Sequence, residues 1–128
     1  MMPTTIEWIE KAEEDFEAAS ILAQSRSERQ LNTICFHCQQ SAEKYLKAIM
    51  QEHGMYVPYI HNLSDLLDKV VSVLPMFESH RQSCLELTPF ATVFRYPGLS
   101  TSRDDAKRAL KQCANIRIDV RRHFGLES

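Results

Sequence analysis

The sequence predicts an all-α fold, an up-and-down bundle of four to five helices forming one domain over residues 1–128. Three observations lead there. Apolar residues recur at spacings of three and four through most of the chain, the period of a helix that buries one face. No segment alternates convincingly with period two. Only three glycines and five prolines are present, so turn-forming material is scarce and the elements must be few and long. A length of 128 residues suits one core. Hydrophobic residues at 44% and charged residues at 25% are ordinary for a globular domain.

Ile6, Ile9, Ala12, Phe16, Ala19, Leu22 and Ala23 make one face of a first helix, expected from about Thr5 to Gln24. Thr4 or Thr5 is its expected cap, with Glu7 in the first turn. "SRSERQLN" reads as a polar connection. The second helix is expected from about Leu31 to His53, with a stripe of Cys35, Cys38, Ala42, Tyr45, Leu46 and Ile49, and Gly54 ends it. Its other ridge carries Gln40, Glu43, Lys44 and Lys47. By periodicity alone that ridge is a wet surface. "MYVPYIHN" reads as extended, because Pro58 disfavours helix at Val57.

A third helix starts near Asn62 or Ser64, carries Leu66, Leu67, Val70, Val71 and Leu74, and stops at Pro75. A fourth, weaker one covers about Phe77 to Phe94, where Pro89 kinks or divides it. "RYPGLSTS" is a loop. Ser102 caps the last helix, which runs to about Phe124 and Gly125 with Asp104 and Asp105 in its first turn.

No apolar run approaches the ~20 residues of a membrane span. The N-terminus is acidic and helical in pattern rather than that of a signal peptide, so a cytoplasmic location is expected. Cys35, Cys38, Cys84 and Cys113 read as free thiols packed as small hydrophobes. Cys35 and Cys38 form a C-x2-C, but no second pair has metal spacing, so no metal site is expected. The net charge of -2 is unevenly spread. Met1 to Arg29 carries seven acids and three bases, and Arg103 to Arg122 carries seven bases and three acids. A local basic face is therefore compatible with a phosphate ligand.

Arg117 falls in the middle of the last helix's apolar stripe of Ala106, Leu110, Cys113, Val120 and Phe124. A charge there needs a partner. Either it pairs with Glu43 or an acid of the first helix, or it faces a cleft that takes an anion. His123 lies ~9 Å further along the axis and ~120° around it. The two residues do not stack, yet both can border one groove. "RRHFG" is equally the ordinary end of a helix. "RYPG", from Arg95 to Gly98, offers a guanidinium fork, the Tyr96 ring and a rigid turn. It suits either a nucleotide or a plain helix stop. His61 precedes the third helix and suits a structural bond or a titrating site. His37 sits at the edge of the second helix, and His53 and His80 read as surface residues. No nucleophile motif or glycine-rich phosphate loop is present, so any chemistry would rest on histidine, arginine and lysine.

Taken together, "FHCQQSAEKYLKA", then "HNL", then "RYP" before a final helix, with Ala12, Asp15, Ala19 and Leu22 ahead of them, resemble the HEPN domain family over nearly the whole chain. The resemblance implies a compact bundle of up to five helices, a two-fold homodimer, and a small nucleotidyltransferase-type antitoxin as partner. It implies one of two functions. The first is a toxin-type, metal-independent endoribonuclease without cofactor, its R-x5-H formed by Arg117 as phosphate clamp and His123 as acid or base. The second is a non-catalytic nucleotide-binding or protein-interaction module. On either reading Arg95, Tyr96, Arg121, Lys44 and Lys47 are candidate phosphate or nucleotide contacts. Gln40, Glu43 and His61 are supporting polar groups, with Glu43 the expected partner of an arginine on the last helix or in "RYPG". The resemblance also shifts the Gln40–Lys47 ridge from a wet surface toward the wall of a groove or a dimer seam.

Overall fold

In the computed structural model, which describes residues 1–127, the chain is all helical. Ser128, the last residue of the expected domain, lies outside the described residues. The helices are α1 (Pro3–Gln24), α2 (Leu31–Glu52), α3 (Leu63–Val71), α4 (Arg81–Leu87) and α5 (Arg103–His123). α2 is the central element, with α1, α3 and α5 packed around it and α4 closing against α3 and α5. No helix among the described residues is long and apolar enough to cross a membrane.

Local chemistry places the helix ends. The Ser102 side chain accepts the Asp105 N–H at 3.0 Å, and Asp105 accepts the Ser102 N–H at 2.8 Å. This reciprocal pair satisfies two donors that the first turn of α5 leaves open. The Asn62 side chain caps α3 by accepting the Asp65 N–H at 3.2 Å. Gly54 and Gly125 follow α2 and α5 with φ of 72° and 70°, the left-handed geometry that lets the chain leave a helix sharply.

Three expectations need correction. α1 begins at Pro3, with no side-chain cap from Thr4 or Thr5 and no acid in its first turn. Proline suits the first helical position because its missing N–H would have no partner there. α1 also buries Thr5, Ile9, Ala12, Asp15 and Ala19, while Ile6 faces out. α3 stops at Val71, three residues before Leu74. The expected fourth helix is broken up: a 3-10 turn over Pro75–His80, α4, then 3-10 turns over Thr88–Ala91 and Val93–Arg95. Pro75 and Pro89 each remove a backbone donor, which favours short, tight turns over a continuous α-helix.

The core joins Ala42, Tyr45, Leu46, Ile49 and Met50 of α2 to Leu63, Leu66, Leu67 and Val70 of α3, and to Ala109, Cys113, Ile116 and Val120 of α5. All four cysteines are buried free thiols. Burial raises Cys35 to about 11 and Cys84 to about 12, so both stay protonated and unreactive near neutral pH.

The Tyr45 hydroxyl is buried beside the Glu13 carboxylate, without a well-formed hydrogen bond among the described residues. Burial first, then the Glu13 carboxylate, push its pKa upward. Tyr45→Phe removes this poorly bonded group and should leave stability within about 1 kcal/mol of wild type. Urea denaturation checks this; a loss above about 2 kcal/mol would show that the hydroxyl makes a bond that matters.

Candidate functional site

The polar residues of α2 are mostly not solvated. On a central helix even the nominal outer ridge is covered, on one side by α1 and on the other by the segment between α2 and α3. Glu43 and Lys47 are 3% and 4% exposed, and Gln39 is fully buried. The Glu43 carboxylate accepts from Lys47 Nζ at 3.0 Å and Gln39 Nε2 at 3.2 Å, and lies 2.8 Å from His61 Nδ1. Gln39 Nε2 also donates to the His61 carbonyl at 2.9 Å, and Gln40 donates to Gln39 at 2.8 Å. This network fastens the 55–62 segment to α2. Glu43 is therefore not the partner of an arginine. Lys47, buried on Glu43, does not reach a phosphate arriving from solvent.

The arginine's partner is on the first helix. Arg117 Nε donates to Glu13 at 2.9 Å and Arg121 Nη1 donates to the same carboxylate at 2.6 Å. The Arg117 guanidinium also stacks 4.8 Å from the Phe16 ring centre. Burial raises the Glu13 pKa, but the bond from Arg117, the neighbouring Tyr45 hydroxyl and the charges of Arg117 and Arg121 outweigh it and hold the carboxyl below its ordinary value. Arg117 lines a shallow cleft with Glu13, Phe16, Glu17 and Ser20.

His123 opens on a different cleft, lined by Met76, Phe77, Ser79, Asp119 and Arg122. It stacks on His53, with ring centres 5.6 Å apart and the two Nε2 atoms at 3.4 Å. Burial, then the neighbouring His53 charge, lower its pKa and favour the neutral ring. Within one protomer Arg117 and His123 thus have separate neighbours and separate openings. His53 is exposed, as expected, and makes its contact with His123 at the surface. His80, expected at the surface, is instead buried with Nε2 2.7 Å from Asp119. Helical period alone does not reveal either pairing, since each joins residues on different elements.

A third cluster was least visible in the sequence. Asp15 lies on the buried face of α1 between Ala12 and Ala19. Lys44 Nζ donates to its Oδ2 at 2.6 Å, and His37 Nδ1 lies 2.8 Å from its Oδ1. The signal was present: an acid on an apolar stripe needs a partner as much as Arg117 does. His37 borders a cleft of about 430 Å³ with Arg29, Asn32, Thr33, Phe36, Phe94 and Arg95. The Arg95 guanidinium stacks 4.4 Å from the Phe36 ring centre. Among the described residues neither Arg29 nor Arg95 has an acidic partner. Asn32 Oδ1 accepts from Thr101 N and Oγ1 at 2.9 and 2.7 Å, which fixes the amide at the cleft wall. Tyr96 is 70% exposed and is not part of the lining.

A model of the HEPN domain matches residues 5–123. The chain belongs to the HEPN domain family. Two solved structures share the fold of this HEPN domain. TT1696 from Thermus thermophilus superposes with a TM-score of 0.82 at 22% identity, covering 94% of this chain and 98% of that one. ST0689, described as an archaeal HEPN homologue, gives 0.73 at 24% identity, with 93% and 96% covered. A comparison with curated protein sequences gives no match. At these identities the likenesses show the fold, and the chemistry must be read from this chain's own clusters.

Proposed function

We propose that this HEPN domain is a nucleotide-binding module whose ligand phosphate sits between Arg29 and Arg95. One observation carries the reading: the Arg95 guanidinium carbon lies over the Phe36 ring, 4.4 Å from its centre, with no acidic partner among the described residues, in the same cleft as Arg29 and His37. A guanidinium held against a ring by cation–π attraction keeps its charge and leaves its N–H donors available to an oxyanion. Phe94 supplies apolar wall for a base. Calorimetry with 5′-AMP should show binding to wild type and at least a ~10-fold loss for Arg95→Ala, about 1.4 kcal/mol. Absence of binding by wild type overturns the reading.

A second reading is that the chain is a toxin-type RNase acting as a two-fold dimer, paired with a nucleotidyltransferase-type antitoxin. The observation favouring it is that His123 is exposed and biased to the neutral form, as a general base requires. A second copy would have to bring its own groups to the His123 cleft. Arg117→Ala and His123→Ala should then abolish RNA cleavage and growth inhibition, by at least ~100-fold in rate. Cleavage that persists in both variants removes these residues from any such chemistry.

A further inference from the structure

The Arg29–Arg95 cleft has a feature that plain anion binding does not use, a histidine held by a buried carboxylate. Resting on the nucleotide-binding reading above, we infer that the cleft selects a terminal phosphomonoester, and that His37 takes up a proton as this ligand binds.

The charged groups around His37 come from four places. Asp15 reaches it from α1 and Lys44 bonds the same carboxylate from α2. Arg29 stands in the turn before α2, and Arg95 in the turn after α4. Asp15 accepts the Nδ1–H of His37, so Nε2 is the nitrogen left for the cleft, and it has no partner among the described residues. The His37 side chain is 27% exposed, enough for a ligand to reach, while Asp15 is nine-tenths covered.

A phosphomonoester has a second pKa near ~6, so at pH 7.5 it arrives as a dianion. A phosphodiester arrives with one charge. Two guanidiniums balance a dianion, and a phosphoryl oxygen at Nε2 then accepts a bond from a protonated ring. The carboxylate at Nδ1 favours the imidazolium and the Arg29, Arg95 and Lys44 charges oppose it; the dianion offsets the two guanidiniums as it binds, so binding shifts the balance toward the protonated ring. The proton comes from solvent, so binding and protonation are linked. A diester offers half the charge and therefore a weaker pull on that proton.

The test is calorimetry at pH 7.5 on the full chain, in two non-phosphate buffers of different ionisation enthalpy. The ligands are 5′-AMP, 3′,5′-cyclic AMP and inorganic phosphate. The expected result is net proton uptake with 5′-AMP and at least ~10-fold weaker binding of the cyclic diester. Phosphate alone should bind more weakly than 5′-AMP because it lacks a base to pack on Phe94. His37→Gln should still bind 5′-AMP, without proton uptake and with the monoester preference reduced. Asp15→Asn, checked for a normal melting transition, should lower the uptake while leaving the ring in place. Binding of 5′-AMP with no difference between buffers, or equally tight binding of the cyclic diester, overturns this inference and leaves the nucleotide reading standing. No binding of 5′-AMP, or inorganic phosphate binding as tightly, overturns both.

Discussion

Glu43→Ala is expected to destabilise the protein by about 3–5 kcal/mol, the cost of leaving a buried charge without its partner. The carboxylate it removes is the meeting point of Lys47, His61 and Gln39. Lys47 Nζ would stay enclosed between the Trp8 and Tyr59 rings, 5.6 and 5.8 Å from their centres, which attract a cation weakly but do not replace an anion. The lysine must then lose its proton or pull the surrounding segment open, and either costs free energy. Lys47→Ala should cost a similar amount from the other side. The double change Glu43→Leu with Lys47→Met removes both charges and keeps the volume, so it should recover most of the loss. Urea denaturation of the three variants measures this. Amide exchange should also show the 55–62 segment loosened in Glu43→Ala, because His61 is then held through Gln39 alone. A single-variant loss below about 1 kcal/mol would mean that water reaches this pair.

The second large effect is at Glu13. One carboxylate holds Arg117 and Arg121 together, and its side chain and theirs are about one-fifth to one-quarter exposed. Glu13→Ala should therefore cost less than the fully buried case, about 2–3 kcal/mol, through two charge-assisted bonds lost and two guanidiniums left side by side. It also has a pH signature. The folded Glu13 pKa lies below its ordinary value of 4.5. Its stabilisation is thus fully present above that value and is lost as pH falls through the lower folded value. Wild type and Glu13→Ala should differ most in melting temperature near neutral pH and converge in acid. A gap that stays constant from pH 7 down to pH 2 would sink the assignment.

The fold was largely legible because its signals are local. Ser102 with Asp105, Asn62 with Asp65, and Gly54 and Gly125 each mark a helix end through contacts within a few residues. The spacing of Cys35, Cys38, Ala42, Tyr45 and Ile49 marked the buried side of α2. The 75–95 stretch was legible in part: Pro89 marked the division after Leu87, but the 3-10 turns on either side of α4 have a period close to that of an α-helix and were not distinguished from it.

The charged groups divide the same way. That Arg117 needed a partner was plain from the sequence, and so, in principle, was Asp15. Which acid meets which base was not, because Glu13 with Arg117, Asp15 with His37 and His53 with His123 each span elements whose separation along the chain gives no distance in space. Helical period and end chemistry determined by themselves that this protein is an all-α bundle, and the tertiary contacts put α2 at its centre. The packing of α1 and the 55–62 segment over α2 decided that Glu43 and Lys47 are buried structure, and that the open cations lie beside His37. The physical reason is range. Periodicity and capping act over one or two turns, whereas burial and charge pairing depend on which surfaces the completed fold brings together.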